Sequence, residues 1–208
     1  MAASTPPAWT TGTVPNSFAA LPAGALGTVG GQLMRLLNRA QQHEVARLLG
    51  PLPGVDVLEV GHGPGVLLGL LARTARHVTG VDPSQEMRRL AIRAHAGAIA
   101  AGRLDVRAGD AGATHLPDAA VDLVVAVNNV AIWPDLDAGV AELGRVLRPG
   151  GRLVLSWHGG ERPARTARGL VLPEERLQRI DGALRARHPE VRRTLTRRCT
   201  VFEARCAP

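Results

Sequence analysis

The stretch at 121–127, VDLVVAV, is apolar at nearly every position. A strand of that composition must be covered on both faces, which is the situation of a strand inside a parallel sheet flanked by helices. Similar short runs recur along the chain, at 55–60 (VDVLEV), 77–82 (HVTGVD), 103–110 (RLDVRAGD) and 151–158 (GRLVLSWH). Between them the apolar positions fall at helical spacing, from about Gly65 to Ala75, Ser84 to Ala101 and Leu136 to Leu147. This alternation predicts an α/β, doubly wound, Rossmann-like fold. Residues 173–188 have a further helical pattern, and 191–206 hold two short stretches suited to an antiparallel hairpin. The expected sheet therefore has seven strands, mostly parallel.

Ahead of the first strand, a helix is expected from about Thr28 to Leu49. Leu33, Leu36, Leu37, Ala40, Val45, Leu48 and Leu49 fall near one face, and Gly50-Pro51 ends it. Residues 1–27 are rich in Pro, Gly, Ala and Thr without periodicity, which suggests a flexible arm or a lid that orders on a ligand. Residues 28–208 then form a single domain, a size one α/β core can fill. The N-terminus has neither a basic leader nor a compact apolar segment, and no run of 18 apolar residues occurs, so a cytoplasmic protein with no membrane partner is expected. Cys199 and Cys206 do not make a disulfide framework. All 25 basic residues are Arg. Residues 158–208 carry 12 Arg against 6 acidic residues, and residues 1–157 carry 13 against 12. A nucleic-acid surface would interleave such a basic face with aromatics, but the tail offers only Phe202, so nucleic acid is not the expected partner.

The first strand runs into VLEVGHGPG, residues 57–65. Gly61, Gly63 and Gly65 give a strand-to-helix turn where backbone can approach a ligand closely, with amides of the next helix aimed at it. Glu59 and Asp82 sit near the C-terminal ends of the first two strands, the edge at which open α/β sheets bind ligands. The dinucleotide fingerprint G-x-G-x-x-G would need Gly at 66, where the chain has Val66. What stands there, Glu59-x-Gly61-x-Gly63-x-Gly65, resembles the E/D-x-G-x-G-x-G loop of S-adenosylmethionine-dependent methyltransferases. Asp82 follows Gly61 by twenty-one residues, where a carboxylate can take both ribose hydroxyls.

Together with AGDAGATHLPDAAVDLVVAVNNVAIWPD (108–135) and ELGRVLRPGGRLVLSW (142–157), these motifs resemble the class I methyltransferase family over about residues 40–158. The branch resembled is that of small bacterial enzymes akin to ubiquinone/menaquinone C-methyltransferases. The resemblance implies S-adenosyl-L-methionine as cofactor and S-adenosyl-L-homocysteine as product. It implies that Gly61, Gly63 and Gly65 face the methionine part, that Glu59 helps place the amino group, and that Asp82, with Pro83 beside it, holds the ribose. Asp110 and Ala111 would contact the adenine, and Asn128 would lie near the transferable methyl. His62, in a variable slot of the loop, is either a cofactor contact or a rim residue, and no metal site is expected.

In-line methyl transfer can draw much of its acceleration from alignment, so a general base is needed only where the acceptor must lose a proton early. His158 after the fifth strand and His115 after the third are the candidates. Asn129, Trp133 and His158 are candidate acceptor-binding residues, Trp133 either walling an apolar acceptor or packing beneath its own loop, with Trp9, Phe18 and Trp157 as further walls. There is no [D/N/S]-P-P-[Y/F/W] motif after the fourth strand, no Lys for a Lys-Asp-Lys-Glu tetrad, and no Pro-Cys nucleophile. The expected acceptor is a small molecule. Its lid would come from residues 1–50 and 158–172, or from a second subunit in a homodimer. Two alternatives keep the cofactor without the methyl transfer: an enzyme repurposed for cyclisation, and a regulatory module that senses it.

Overall fold

The computed structural model describes residues 8–11 and 38–208. Helix α1 (38–49) leads into strand β1 (Asp56–Val60). There follow α2 (Val66–Leu71), β2 (His77–Val81), α3 (Gln85–Ala94), α4 (Ala96–Ala100), β3 (Leu104–Arg107) and β4 (Val121–Val127). The chain closes with α5 (Leu136–Val146), β5 (Leu147–His158), α6 (Glu174–Arg185), β6 (Glu190–Leu195) and β7 (Cys199–Arg205). Short 3-10 turns cover Val130–Ile132 and Arg165–Leu170. One seven-stranded sheet has the order β3-β2-β1-β4-β5-β7-β6, parallel from β3 to β5, with β7 antiparallel to both its neighbours. This is the doubly wound sheet with a terminal hairpin that the sequence pattern predicts.

The strands bury both faces by simple alternation. Leu58 and Val60 on β1, Val124 and Ala126 on β4, and Leu153 and Leu155 on β5 pack with α5 and α6. Val57, Leu123, Val125 and Val154 turn the other way, against α1 and α2. That period of two, embedded in nearly continuous apolar runs, is why those runs show no polar face.

Three elements differ from expectation. The helix drawn from Ser84 to Ala101 breaks at His95, whose backbone leaves the helical region (φ −125°). Strand β5 begins at Leu147, absorbing Arg148 to Gly151 through a register irregularity against Val121 and Leu123. On α1 the buried stripe is Gln41, Val45 and Leu49, spaced four apart, while Ala40 and Leu48 face outward. Residues 28–37 of that helix, and Phe18 with most of the expected arm, lie outside the described residues. Among the described residues no helix is long and apolar enough to cross a membrane.

One polar cluster ties the segment after β3 to α5. Glu142 accepts from the Thr114 amide at 2.9 Å and hydroxyl at 2.6 Å, and from Arg145 Nε at 2.7 Å. The Arg145 bond, ahead of the two from Thr114, holds the Glu142 carboxyl down to about 2. A depressed carboxyl stabilises the fold fully above its ordinary value of 4.5, and that contribution fades as pH falls toward 2. Glu142→Gln is expected to cost about 1–2 kcal/mol at neutral pH and to make the acid-side loss of stability shallower, read as urea midpoints across that pH range.

Candidate functional site

Parallel register brings the C-terminal ends of β1, β2, β4 and β5 to one edge of the sheet. The Gly61 amide donates to Val81 O at 2.8 Å, so the first step beyond β1 is still held by β2. The chain then turns through Gly61, Gly63 and Gly65 with φ of +64°, +54° and +85°. At Gly61 a methyl group would sit 2.3 Å from Asn129 Nδ2, so the side chain is excluded by contact as well as by φ. At Gly63 nothing lies within 4 Å of that direction, and bare backbone there meets open space.

Two acids flank this turn. Asp82, buried just past β2, accepts the Gly63 amide on Oδ2 and the Ser84 amide on Oδ1, both at 2.8 Å. Burial raises its carboxyl, against the pull of His62 and of those amides. Glu59 is 1% exposed, and its Oε2 has no hydrogen-bond partner. Burial first, and the neighbouring Asp82 charge second, push its carboxyl well above the usual carboxylate range. An orphaned buried acid beside open glycine backbone is a place for a cationic or donor-bearing ligand. The residues fit the amino-acid and ribose portions of the cofactor that the loop motif implies. The amides come from the turn itself, since α2 has only six residues.

His62 is buried, with its ring packed toward Gly80 and its Nδ1 donating to its neighbour Gly63 O at 2.7 Å. Burial holds its pKa below the ordinary imidazole value. Exposed Pro83 lends its carbonyl to Arg88, which also binds Asp82 O. Asp110 folds back on its own loop, Oδ1 accepting from the Gly112 and Ala113 amides at 2.8 and 3.0 Å, with Ala111 buried beside it.

At the mouth of β4, Asn128 adopts φ +58° and its amide donates to Ser156 O at 2.8 Å. Its side chain meets Gln41 of α1, which in turn reaches His158 at the end of β5. His158 is 6% exposed, and burial lowers its pKa to about 4. Asn129 turns inward: Nδ2 donates to Val60 O at 2.6 Å, and Oδ1 accepts Trp133 Nε1 at 2.9 Å. Trp133 packs within the core against Gly139. Both side chains build the wall behind the site. Trp157 lies within β5 and donates to Leu170 O. His115 is exposed on the β3–β4 connection, at φ +59°.

Of the arm, residues 8–11 dock on the turn after β4. Trp9 donates from its indole to Val130 O and from its amide to Trp133 O, Thr10 Oγ1 donates to Ala131 O, and the Arg176 guanidinium lies 5.7 Å from the Trp9 ring centroid.

Two residues escaped the sequence reading. Gln41 sits on the apolar stripe of α1, where a lone polar residue four positions before Val45 was the available signal. His95, at the α3–α4 break, donates from Nε2 to Gly65 O at 2.6 Å and fills the space above Gly65 and Gly69. A glycine inside α2 was its only trace.

Residues 58–155 match the Methyltransferase domain family. The chain is 38% identical over 112 residues to the nocamycin O-methyltransferase of Saccharothrix syringae, a match covering 52% of this chain and 40% of that one. It is 31% identical over 119 residues to the ubiquinone/menaquinone biosynthesis C-methyltransferase UbiE of Rubrivivax gelatinosus, covering 57% of this chain and 45% of the relative. The matched stretch thus spans less than half the length of these two relatives. A SAM-dependent methyltransferase from Aquifex aeolicus shares the fold, with a TM-score of 0.70 at 20% identity over 86% of this chain and 98% of its own.

The contact between Gly61 and Asn129 yields a direct expectation. Gly61→Ala must displace the Asn129 carboxamide and strain the turn, lowering stability by about 2 kcal/mol or more in urea or thermal unfolding.

Proposed function

We propose, on the match of residues 58–155 to the Methyltransferase domain family and the likeness to the two methyltransferases above, that the chain is a class I S-adenosylmethionine-dependent methyltransferase that transfers the methyl group of S-adenosylmethionine to a small organic acceptor. The observation that carries this is the pair of buried acids, Glu59 and Asp82, on either side of a glycine turn that opens onto free space. Glu59, with one oxygen unpartnered, would receive the cofactor's ammonium group, whose charge would draw the carboxyl back to its ionised form. Each Asp82 oxygen accepts one amide and keeps a further lone pair, enough for both ribose hydroxyls. Asp110 and Ala111 would flank the adenine, and Asn128 the reacting end.

When bound, the cofactor supplies a methyl group activated on a sulfonium. The chain's own task is then alignment: the glycine turn fixes one end, the mouths of β4 and β5 shape the other, and the buried wall of Asn129 and Trp133 excludes water behind it. The names of the two relatives, a nocamycin O-methyltransferase and a ubiquinone/menaquinone biosynthesis C-methyltransferase, support a small organic acceptor of specialised-metabolite or quinone type. The docking of Trp9 and Thr10 beside the β4 mouth supports a contribution of the N-terminal arm to the acceptor side.

Calorimetric titration with S-adenosylhomocysteine and with NADH is expected to show binding of the first alone, weakened about tenfold or more by Asp82→Ala as a charge-assisted contact is lost. Absence of binding to the wild-type protein at millimolar concentration would sink the assignment. A product lacking the added methyl mass would keep the cofactor but point to the non-methylating alternative.

A further inference from the structure

The polar link at the mouths of β4 and β5 starts from a group with no choice of role. A backbone carbonyl can only accept, so the Gln41 side-chain atom 3.2 Å from Arg198 O is the amide nitrogen. Gln41 Oε1 therefore faces Asn128, whose Nδ2 donates to it at 2.7 Å. The same Gln41 Nε2 lies 3.0 Å from His158 Nδ1. An amide nitrogen offers only hydrogens, so Nδ1 is the bare, accepting nitrogen of the imidazole, and the proton of the neutral ring sits on Nε2. Protonating Nδ1 would set N–H against N–H.

The surroundings agree. His158 and Gln41 are 6% and 4% exposed, and burial alone lowers the imidazole pKa to about 4. Of the neighbouring charged residues, Glu44 on α1 accepts the Arg198 amide. Cys199, opposite on β7, is buried with its thiol pushed up to about 11. Trp157 meets the ring edge-on at 5.2 Å between centroids.

We propose that Gln41 is a positioning residue that holds His158 as a neutral hydrogen-bond donor through Nε2–H, and that the methyl acceptor presents an oxygen lone pair to it, as a carbonyl, carboxylate or phenolate does. The substrate half of this rests on the methyltransferase assignment above; the tautomer does not. In this state the one basic lone pair of His158, on Nδ1, is taken up by Gln41, and Nε2–H has none with which to take the acceptor's proton, contrary to the general-base role that its place at a strand mouth suggests. An alkylammonium would meet it donor to donor.

The test is long-range proton–nitrogen NMR of the full-length protein labelled at histidine nitrogen, with His158 assigned from a His158→Gln sample. The expected signature near pH 7 is the Nε2–H tautomer, persisting to about pH 5. An Nδ1–H ring, or an imidazolium near neutral pH, overturns the proposal and needs no variant of Gln41. In Gln41→Glu a carboxylate replaces the donor, so His158 should gain a proton on Nδ1 and its midpoint should rise by about one unit or more. Gln41→Leu should lose the tautomer preference. An unchanged ring in both variants refutes the role of Gln41. Titration with benzoate is expected to move the Nε2–H resonance, and titration with benzylammonium is not. A response to benzylammonium, or to neither probe at millimolar concentration, refutes the oxygen assignment. Calorimetry with S-adenosylhomocysteine on the same samples separates the two readings: wild-type protein that shows the Nε2–H tautomer but binds no S-adenosylhomocysteine fails as a methyltransferase while keeping the histidine geometry.

Discussion

The carboxamide of Asn129 holds together the parts on which the rest of the site depends. Its nitrogen ties down Val60 O at the last residue of β1, its oxygen takes the Trp133 indole, and its bulk rests on the Cα of Gly61. Because the pair is buried, each group would cost about 1–3 kcal/mol if left unpaired, so the end of β1 and the turn after β4 are held as one unit. The glycine turn can then stay open at Gly63 without collapsing. The arm docks on the outer side of the same turn, where Trp9 and Thr10 satisfy the carbonyls of Val130, Ala131 and Trp133.

Around that unit the site divides into two halves of different character. The half at β1 and β2 is built from acids whose charge is held back by burial: Glu59 has no partner for one oxygen, and Asp82 has only backbone amides. Such groups gain most from a ligand that brings positive charge or hydroxyl donors. The half at β4 and β5 is neutral, with Asn128, Gln41 and His158 joined by hydrogen bonds whose direction is set by one backbone carbonyl. The first half suits a charged, polar ligand, and under the proposal above the second would select an acceptor by hydrogen-bond polarity.

The strands were legible because a parallel sheet covered on both faces demands nearly continuous apolar runs, and all five central runs became strands. The acids were legible for a related reason: Glu59 and Asp82 stand toward the C-terminal ends of those runs, the edge at which open α/β sheets bind ligands. Gln41 was not legible, since a single polar residue on an otherwise apolar helical stripe gives no hint of which strand end it will meet. The outward turn of Leu48 and the inward turn of Asn129 were hidden for the same reason. Their direction depends on which neighbour the helix or turn packs against.

From sequence alone came the order of the strands along the chain, the glycine turn and the two acids beside it, because each rests on local spacing and on the burial that apolar runs require. Only the tertiary structure decided the protonation geometry of His158. That depends on Gln41, 117 positions away in the chain, and on the carbonyl of Arg198 in the turn between β6 and β7. Hydrogen-bond direction is a property of the assembled partners, and no spacing within one segment encodes it.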